Sequence, residues 1–397
     1  VFLFGLAGIG VIYFFTLQLA QDRIAAALAS FFLSIHSYHI YYSFQMRGYV
    51  MLVLLCMLSC YFLFQLLENP KKNTGFYYCL VNVLFVYTHL YSVYLLLAQH
   101  GVIVLFQLYA KFIKKEKKSY YSTATMTRYF HCFIVSMLWI VLLYTPQIPV
   151  IFMNILDTAN NSKSLLNYVG QVIVSLHFMI AYSEWAWISV IVLALIFIGY
   201  FLTSTQSKAL QFIAAIALLL LLITALVPSG PGFFPRYLIC EIPLLLFLLS
   251  ASFGQFWQKG KVQFKLMSAL VLLLYALVNV LGLKLSYQKI QDYKGAVEYV
   301  HTYSGSKPKF IVGNSLGKTE IQFYDSKIYA LQNVQELDSL MQLNYDLFAI
   351  TTYESFAGKS LFINDKASQQ RIENSFVHEK VFEGEFPVNV WHYVKKE

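Results

Sequence analysis

The sequence predicts a polytopic α-helical membrane protein that carries a C-terminal extracytoplasmic α/β domain, and three observations predict it. Of the 397 residues, 58% are hydrophobic and only 12% charged, against about 25% charged in a soluble domain. Apolar runs of about the length that crosses a bilayer recur ten times before residue 287. Charge then divides the chain: residues 1–286 hold 17 Lys/Arg and 6 Asp/Glu, whereas residues 287–397 hold 12 and 14. The two domains predicted are therefore 1–286 in the membrane and 287–397 outside it.

The ten spans are 1–19, 24–42, 48–67, 76–90, 92–110, 130–146, 183–204, 210–228, 237–256 and 266–286. Gln21, Asp22 and Arg23 separate the first two, and Arg47 sits between the second and third. Asn69-Pro70-Lys71-Lys72 closes the third, Thr88-His89-Leu90-Tyr91 the fourth, and a basic run from Lys111 to Lys118 the fifth. Glu184 opens the seventh span, and a Gly/Pro-rich loop at 229–235 links the eighth to the ninth. Residues 165–182 are also apolar but carry Asn167, Gln171 and His177, which predicts a helix lying in the interface.

Basic residues set the orientation. One set of alternate loops carries 13 Lys/Arg, while the opposite set carries only Arg47, Lys163 and Arg236. The first set is therefore expected in the cytoplasm, with the start of the chain and the tail outside. The positive excess is a topology signal, and no nucleic-acid partner follows from it.

Cys56, Cys60, Cys79, Cys132 and Cys240 all fall inside apolar runs, so no disulfide framework is implied. Cys56 and Cys60 share a helix face, and His36 and His39 another, but no third ligand completes a metal shell. No metal site is expected. Val1 already lies inside an apolar run without a basic flank, which reads as a chain whose beginning is missing.

Beyond residue 286 the pattern changes. Ile290, Tyr293, Val297 and Val300 recur at helical spacing. Residues 310–312 and 347–352 read as strands, 334–341 and 366–375 as helices, and 381–386 with 388–394 as a closing strand pair.

Arg47 is the first candidate for chemistry: an arginine costs about 2.5–3.5 kcal/mol at the bilayer centre and less near the surface, where it either snorkels to lipid headgroups or clamps a phosphate. Its planar fork matches phosphate oxygens. Arg236 repeats the pattern: it follows the Gly/Pro loop and, with Tyr237, opens the ninth span. A small-residue helix, an aromatic-rich turn, Gln45-Met46-Arg47-Gly48-Tyr49 and a Leu/Met-rich helix together resemble the C-type polytopic glycosyltransferases (GT-C). The likeness is greatest to their protein-mannosyltransferase-like branch, family 39. Thr88-His89-Leu90-Tyr91 and Arg236-Tyr237-Leu238 resemble two further segments of that family.

The resemblance implies an inverting transfer of a hexosyl or pentosyl group from a polyprenyl-phosphate-linked donor, on the extracytoplasmic face. The acceptor is a glycan, a lipid or a protein. Arg47, Tyr49, His89, Tyr91, Arg236 and Tyr237 are its lipid-phosphate and substrate residues, and no cofactor beyond the polyprenyl-phosphate-sugar donor is certain. In the family an acidic base lies in the first external loop. That loop and the first helix are expected upstream of Val1, so the chain as it stands is expected to be inactive, with Glu184 as the fallback base. The same resemblance places the protein in the cytoplasmic membrane of a prokaryote. A polyprenyl-linked lipid or sugar transporter, or flippase, is the alternative, since many spans and a lipid-phosphate site would serve it too.

Overall fold

The computed structural model describes residues 1–44, 48–68, 71, 73–113, 121–148, 207–226, 239–259, 262–286, 292–304, 308–313, 323–325, 329–330, 334–343, 345–352, 374–382 and 388–393. It divides into two units, Val1–Ser286 and Tyr287–Glu397.

The first unit is helical. Its described helices are α1 (Phe2–Ala20), α2 (Arg23–Ile35), α3 (Ser37–Phe44), α4 (Tyr49–Glu68), α5 (Thr74–Thr88), α6 (Ser92–Leu108), α7 (Thr123–Tyr144), α8 (Lys208–Leu226), α9 (Glu241–Lys259) and α10 (Val262–Ser286). Four segments are long and apolar enough to cross a membrane: Phe2–Ala20, Tyr49–Glu68, Ser92–Phe112 and Thr123–Gln147. The pair α2 and α3 makes a fifth as a broken span, while α5, α8, α9 and α10 contribute shorter apolar stretches. Nine of the ten expected spans thus carry a described helix. The span expected at 183–204 and the interfacial helix at 165–182 lie outside the described residues.

The run 24–42, read from sequence as one span, is two helices bent by 57° at His36. His36 has φ −65 and ψ 111, which ends α2. Breaking a helix orphans backbone N–H groups, and in hydrocarbon they need protein partners. The Ser37 N–H donates to Asn279 Oδ1 of α10 at 3.2 Å, and the His39 N–H donates to the His36 ring Nδ1 at 3.3 Å. Asn279 in turn donates from Nδ2 to the Tyr275 carbonyl at 3.0 Å. His36 therefore serves as a cap for α3.

Helices α1, α2, α4, α5, α8 and α9 pack around a continuous apolar core that includes Ile12, Phe32, Met57, Phe85, Phe212 and Phe247. A small polar chain ties α4, α5 and α6 inside it. Tyr78 donates to Gln99 Oε1 at 3.2 Å, Gln99 donates to Ser59 at 2.9 Å, and Ser59 donates to Asn82 at 2.6 Å. Such interhelical bonds contribute about 0.6 kcal/mol each.

The α1–α2 turn is set by two caps. Gln21 closes α1 in the left-handed region at φ 55, and Asp22 Oδ1 accepts the Ile24 N–H at 2.8 Å to start α2. The other Asp22 oxygen lies where a β-carbon on Gly254 of α9 would sit. Gly254→Ala is therefore expected to displace the cap and lower stability by about 1–3 kcal/mol. Chemical denaturation in detergent checks this, and an unchanged midpoint would show that the turn simply moves aside.

The described residues of the second unit form a five-stranded sheet with a helix against each face. It comprises α11 (Tyr293–Thr302), β1 (Lys309–Gly313), β2 (Tyr329–Ala330), α12 (Val334–Met341), β3 (Asp346–Thr352), β4 (Phe376–Phe382) and β5 (Val388–Tyr393). The order is β2-β1-β3-β5-β4, with β1 parallel to β2 and β3, and β5 antiparallel to β3 and β4. Alternation along β3 places Phe348 and Ile350 with Val297 and Val300 of α11, and Leu347 and Ala349 with Leu337 of α12. The helix expected at 366–375 falls almost wholly outside the described residues. β4 begins at Phe376 rather than 381, and a bulge between His378 and Lys380 interrupts its alternation.

Candidate functional site

Where α3 ends, α4 and α6 begin and α5 ends, six rings form a ribbon. Tyr38 and Tyr42, one turn apart on α3, have ring centroids 4.7 Å apart and hydroxyls 3.2 Å apart. Tyr42 meets Tyr49 of α4 at 4.7 Å, Tyr49 meets His89 at 5.5 Å, and His89 meets Tyr91 at 5.5 Å. Tyr94 of α6 closes the ribbon, 5.4 Å from Tyr91. All five separations fall in the favourable range for aromatic pairs, each worth about 0.5–1.5 kcal/mol beyond its buried area.

Local structure fixes the histidine. His89 ends α5 with φ −162, and its N–H donates to the Phe85 carbonyl at 3.3 Å. Ser92 donates its hydroxyl to the same carbonyl at 2.9 Å and its N–H to the His89 carbonyl at 3.0 Å. The turn between α5 and α6 is thereby closed in three residues. The Tyr91 N–H donates to His89 Nδ1 at 3.3 Å. An accepting Nδ1 puts the proton of the neutral ring on Nε2, so the outer end of His89 is a donor. Gly48 permits the approach of α4 to this turn, because a β-carbon there would come within 2.8 Å of Thr88 Cγ2.

Three of the residues expected from the sequence are thus brought together: Tyr49, which is buried, and the half-buried His89 and Tyr91. Arg47, Glu184, Arg236 and Tyr237 lie outside the described residues. Arg47 directly precedes Gly48 in the chain. Sequence reasoning passed over Tyr38, Tyr42 and Tyr94; the four-residue spacing of the first two was the available signal. It also passed over the break at His36 and its partner Asn279, the asparagine in an otherwise apolar run.

The ribbon offers hydroxyls, one imidazole N–H and several ring faces, which suits a ligand with both polar and C–H surfaces. Glu241 opens α9 fully buried, and neither of its oxygens has a hydrogen-bond partner among the described residues. Among those residues no three His, Cys, Asp or Glu side chains come together as a metal site would need.

No protein-family model and no curated protein sequence matches the chain. Solved structures do. Crystal structures of ArnT from Cupriavidus metallidurans match it in the apo state (TM-score 0.55) and bound to undecaprenyl phosphate (TM-score 0.54). Identity is 12% in both; the match covers 99% of this chain and 82% and 83% of the ArnT chains, respectively. The chain is accordingly a polytopic α-helical membrane protein with the fold of these ArnT structures and a small C-terminal sheet domain.

Proposed function

We propose that this protein transfers a sugar from a polyprenyl-phosphate-linked donor to an acceptor on the extracytoplasmic face of the membrane. The observation that carries the proposal is the ribbon Tyr49–His89–Tyr91, formed by three of the residues named from the family resemblance, in a fold shared with a protein crystallised with undecaprenyl phosphate. In this reading Arg47 and Arg236 hold the phosphate by bidentate hydrogen bonds, and His89 donates from Nε2 to a phosphate or sugar oxygen. Tyr49 and Tyr91 border the C–H face of the sugar, and Tyr237 is a further substrate residue.

The acceptor oxygen attacks the anomeric carbon as its proton passes to a carboxylate base. The bond from that carbon to the phosphate oxygen breaks with inversion, and the leaving phosphate takes the electron pair. The protein-mannosyltransferase-like branch is the finer assignment, and the segment around Gln45–Tyr49 supports it. The tail, with its acidic excess, is placed on the same outer side, which follows the charge bias of the loops.

The broken α2–α3 span and the buried Glu241 favour a second reading, a carrier-lipid flippase, because interrupted helices and intramembrane carboxylates are common in transporters. Proteoliposomes loaded with polyprenyl-phosphate sugar separate the two. Sugar moved to an acceptor supports the enzyme, whereas carrier crossing the bilayer without transfer supports the flippase. In the same assay Arg236→Lys should lower transfer while expression is unchanged, because it keeps the charge but loses the fork. Full activity in both Arg47→Ala and Arg236→Ala proteins would rule out the clamp.

A further inference from the structure

At the end of the first unit opposite the tyrosine–histidine ribbon lies a cavity of about 610 Å³. It opens between the ends of α1, α4 and α9 and the starts of α2 and α8. Helix α4 links the two places: Tyr49 is its first residue and Glu68 its last, and 20 residues of helix span about 30 Å. The volume is in the range of small-molecule sites, about 300–1,000 Å³.

Five glutamines among the described residues line the cavity: Gln18, Gln21, Gln65, Gln255 and Gln258. None of these five amides has a hydrogen-bond partner among the described residues. Each offers two donors and one acceptor without a charge. The described charged groups at the cavity have contacts of their own. One Asp22 oxygen caps α2 and the other rests against Gly254, while Lys208 pairs with Glu68 at 3.4 Å. Among the described lining residues, two carboxylates stand against one ammonium, which disfavours an anion such as phosphate.

We propose that this cavity binds a neutral polyhydroxylic group, a glycosyl unit either free or as the headgroup of a glycolipid. Adjacent hydroxyls each donate and accept, which is the complement of several unpaired amides converging on one volume. The proposal is independent of the transfer reaction, since it uses none of the residues assigned to the carrier phosphate.

The test uses the full chain purified in lauryldimethylamine oxide, which carries no sugar. Equilibrium dialysis would measure binding of radiolabelled methyl β-glucoside, octyl β-glucoside and inorganic phosphate. Saturable binding of a glucoside is expected, and Gln65→Leu and Gln255→Leu should each weaken it by about tenfold or more. Gln21→Ala and Gln258→Ala, at exposed positions, should also weaken binding and serve if the variants at the half-buried Gln65 and Gln255 do not fold. Lys208→Met, which removes a charge but no amide, should change affinity less than about threefold. Binding of both glucosides identifies a free sugar as sufficient, and binding of octyl glucoside alone identifies a lipid-borne headgroup. Absence of saturable glucoside binding, binding unchanged in all the glutamine variants, or preference for phosphate would overturn the proposal.

Discussion

In a form of the protein that turns over, His89→Asn is expected to cut sugar transfer by about 100-fold, whereas His89→Gln retains most of it, if His89 donates to charge that develops on the leaving phosphate. The geometry makes the two substitutions unequal. His89 Nδ1 is occupied by the Tyr91 N–H at 3.3 Å, so only Nε2 carries the ring proton. Asparagine places its polar atoms near the Nδ1 position and has nothing at the outer end. Glutamine, one carbon longer, carries an N–H₂ group to about where Nε2 lies. Turnover in proteoliposomes, with circular dichroism to confirm folding, decides the matter. Equal loss in both variants would mean that the ring acts by packing against Tyr49 and Tyr91, and full activity in both would remove His89 from the site.

Asn279→Leu should lower stability by about 1–3 kcal/mol, although it keeps the branched four-heavy-atom shape of the side chain. The Ser37 N–H donates to Asn279 Oδ1 inside the apolar core, where a lost partner is not replaced by water. The change therefore loosens the α2–α3 break and the ribbon that begins at Tyr38. Unfolding in sodium dodecyl sulfate, followed by tyrosine and tryptophan fluorescence, measures the shift. An unchanged midpoint would show that α3 draws the Ser37 N–H to another acceptor.

What was legible in the sequence followed from length. An apolar run of about 20 residues declares a span without reference to anything else, and nine of the ten spans expected carry a described helix. The bend at His36 was not legible, because its cause lies elsewhere in the chain. Neither histidine nor serine breaks a helix by itself, and the acceptor that stabilises the break is 242 residues away.

The site was legible only in part. Tyr49, His89 and Tyr91 stood out through the segments that resemble a known family. Tyr38, Tyr42 and Tyr94 did not, since a tyrosine near a membrane end ordinarily serves as an interface anchor. In the tail, β3 was readable as a continuous apolar stretch. β4 was misplaced because His378, Glu379 and Lys380 follow one another at a bulged edge, where alternation fails. β2, with two residues, is too short to carry a pattern.

The strand order of the C-terminal unit has a consequence for its synthesis. β4 is made before β5 yet pairs with no other described strand, and β5 alone joins it to β3. During translation, then, β1, β2 and β3 can associate as soon as they clear the ribosome, but Phe376–Phe382 must wait with both edges open until Val388–Tyr393 emerges. In that interval the nascent chain exposes a strand with ready backbone groups, and it is the moment at which a chaperone has most to protect. A chain cut just short of Val388 would hold β4 in that open form.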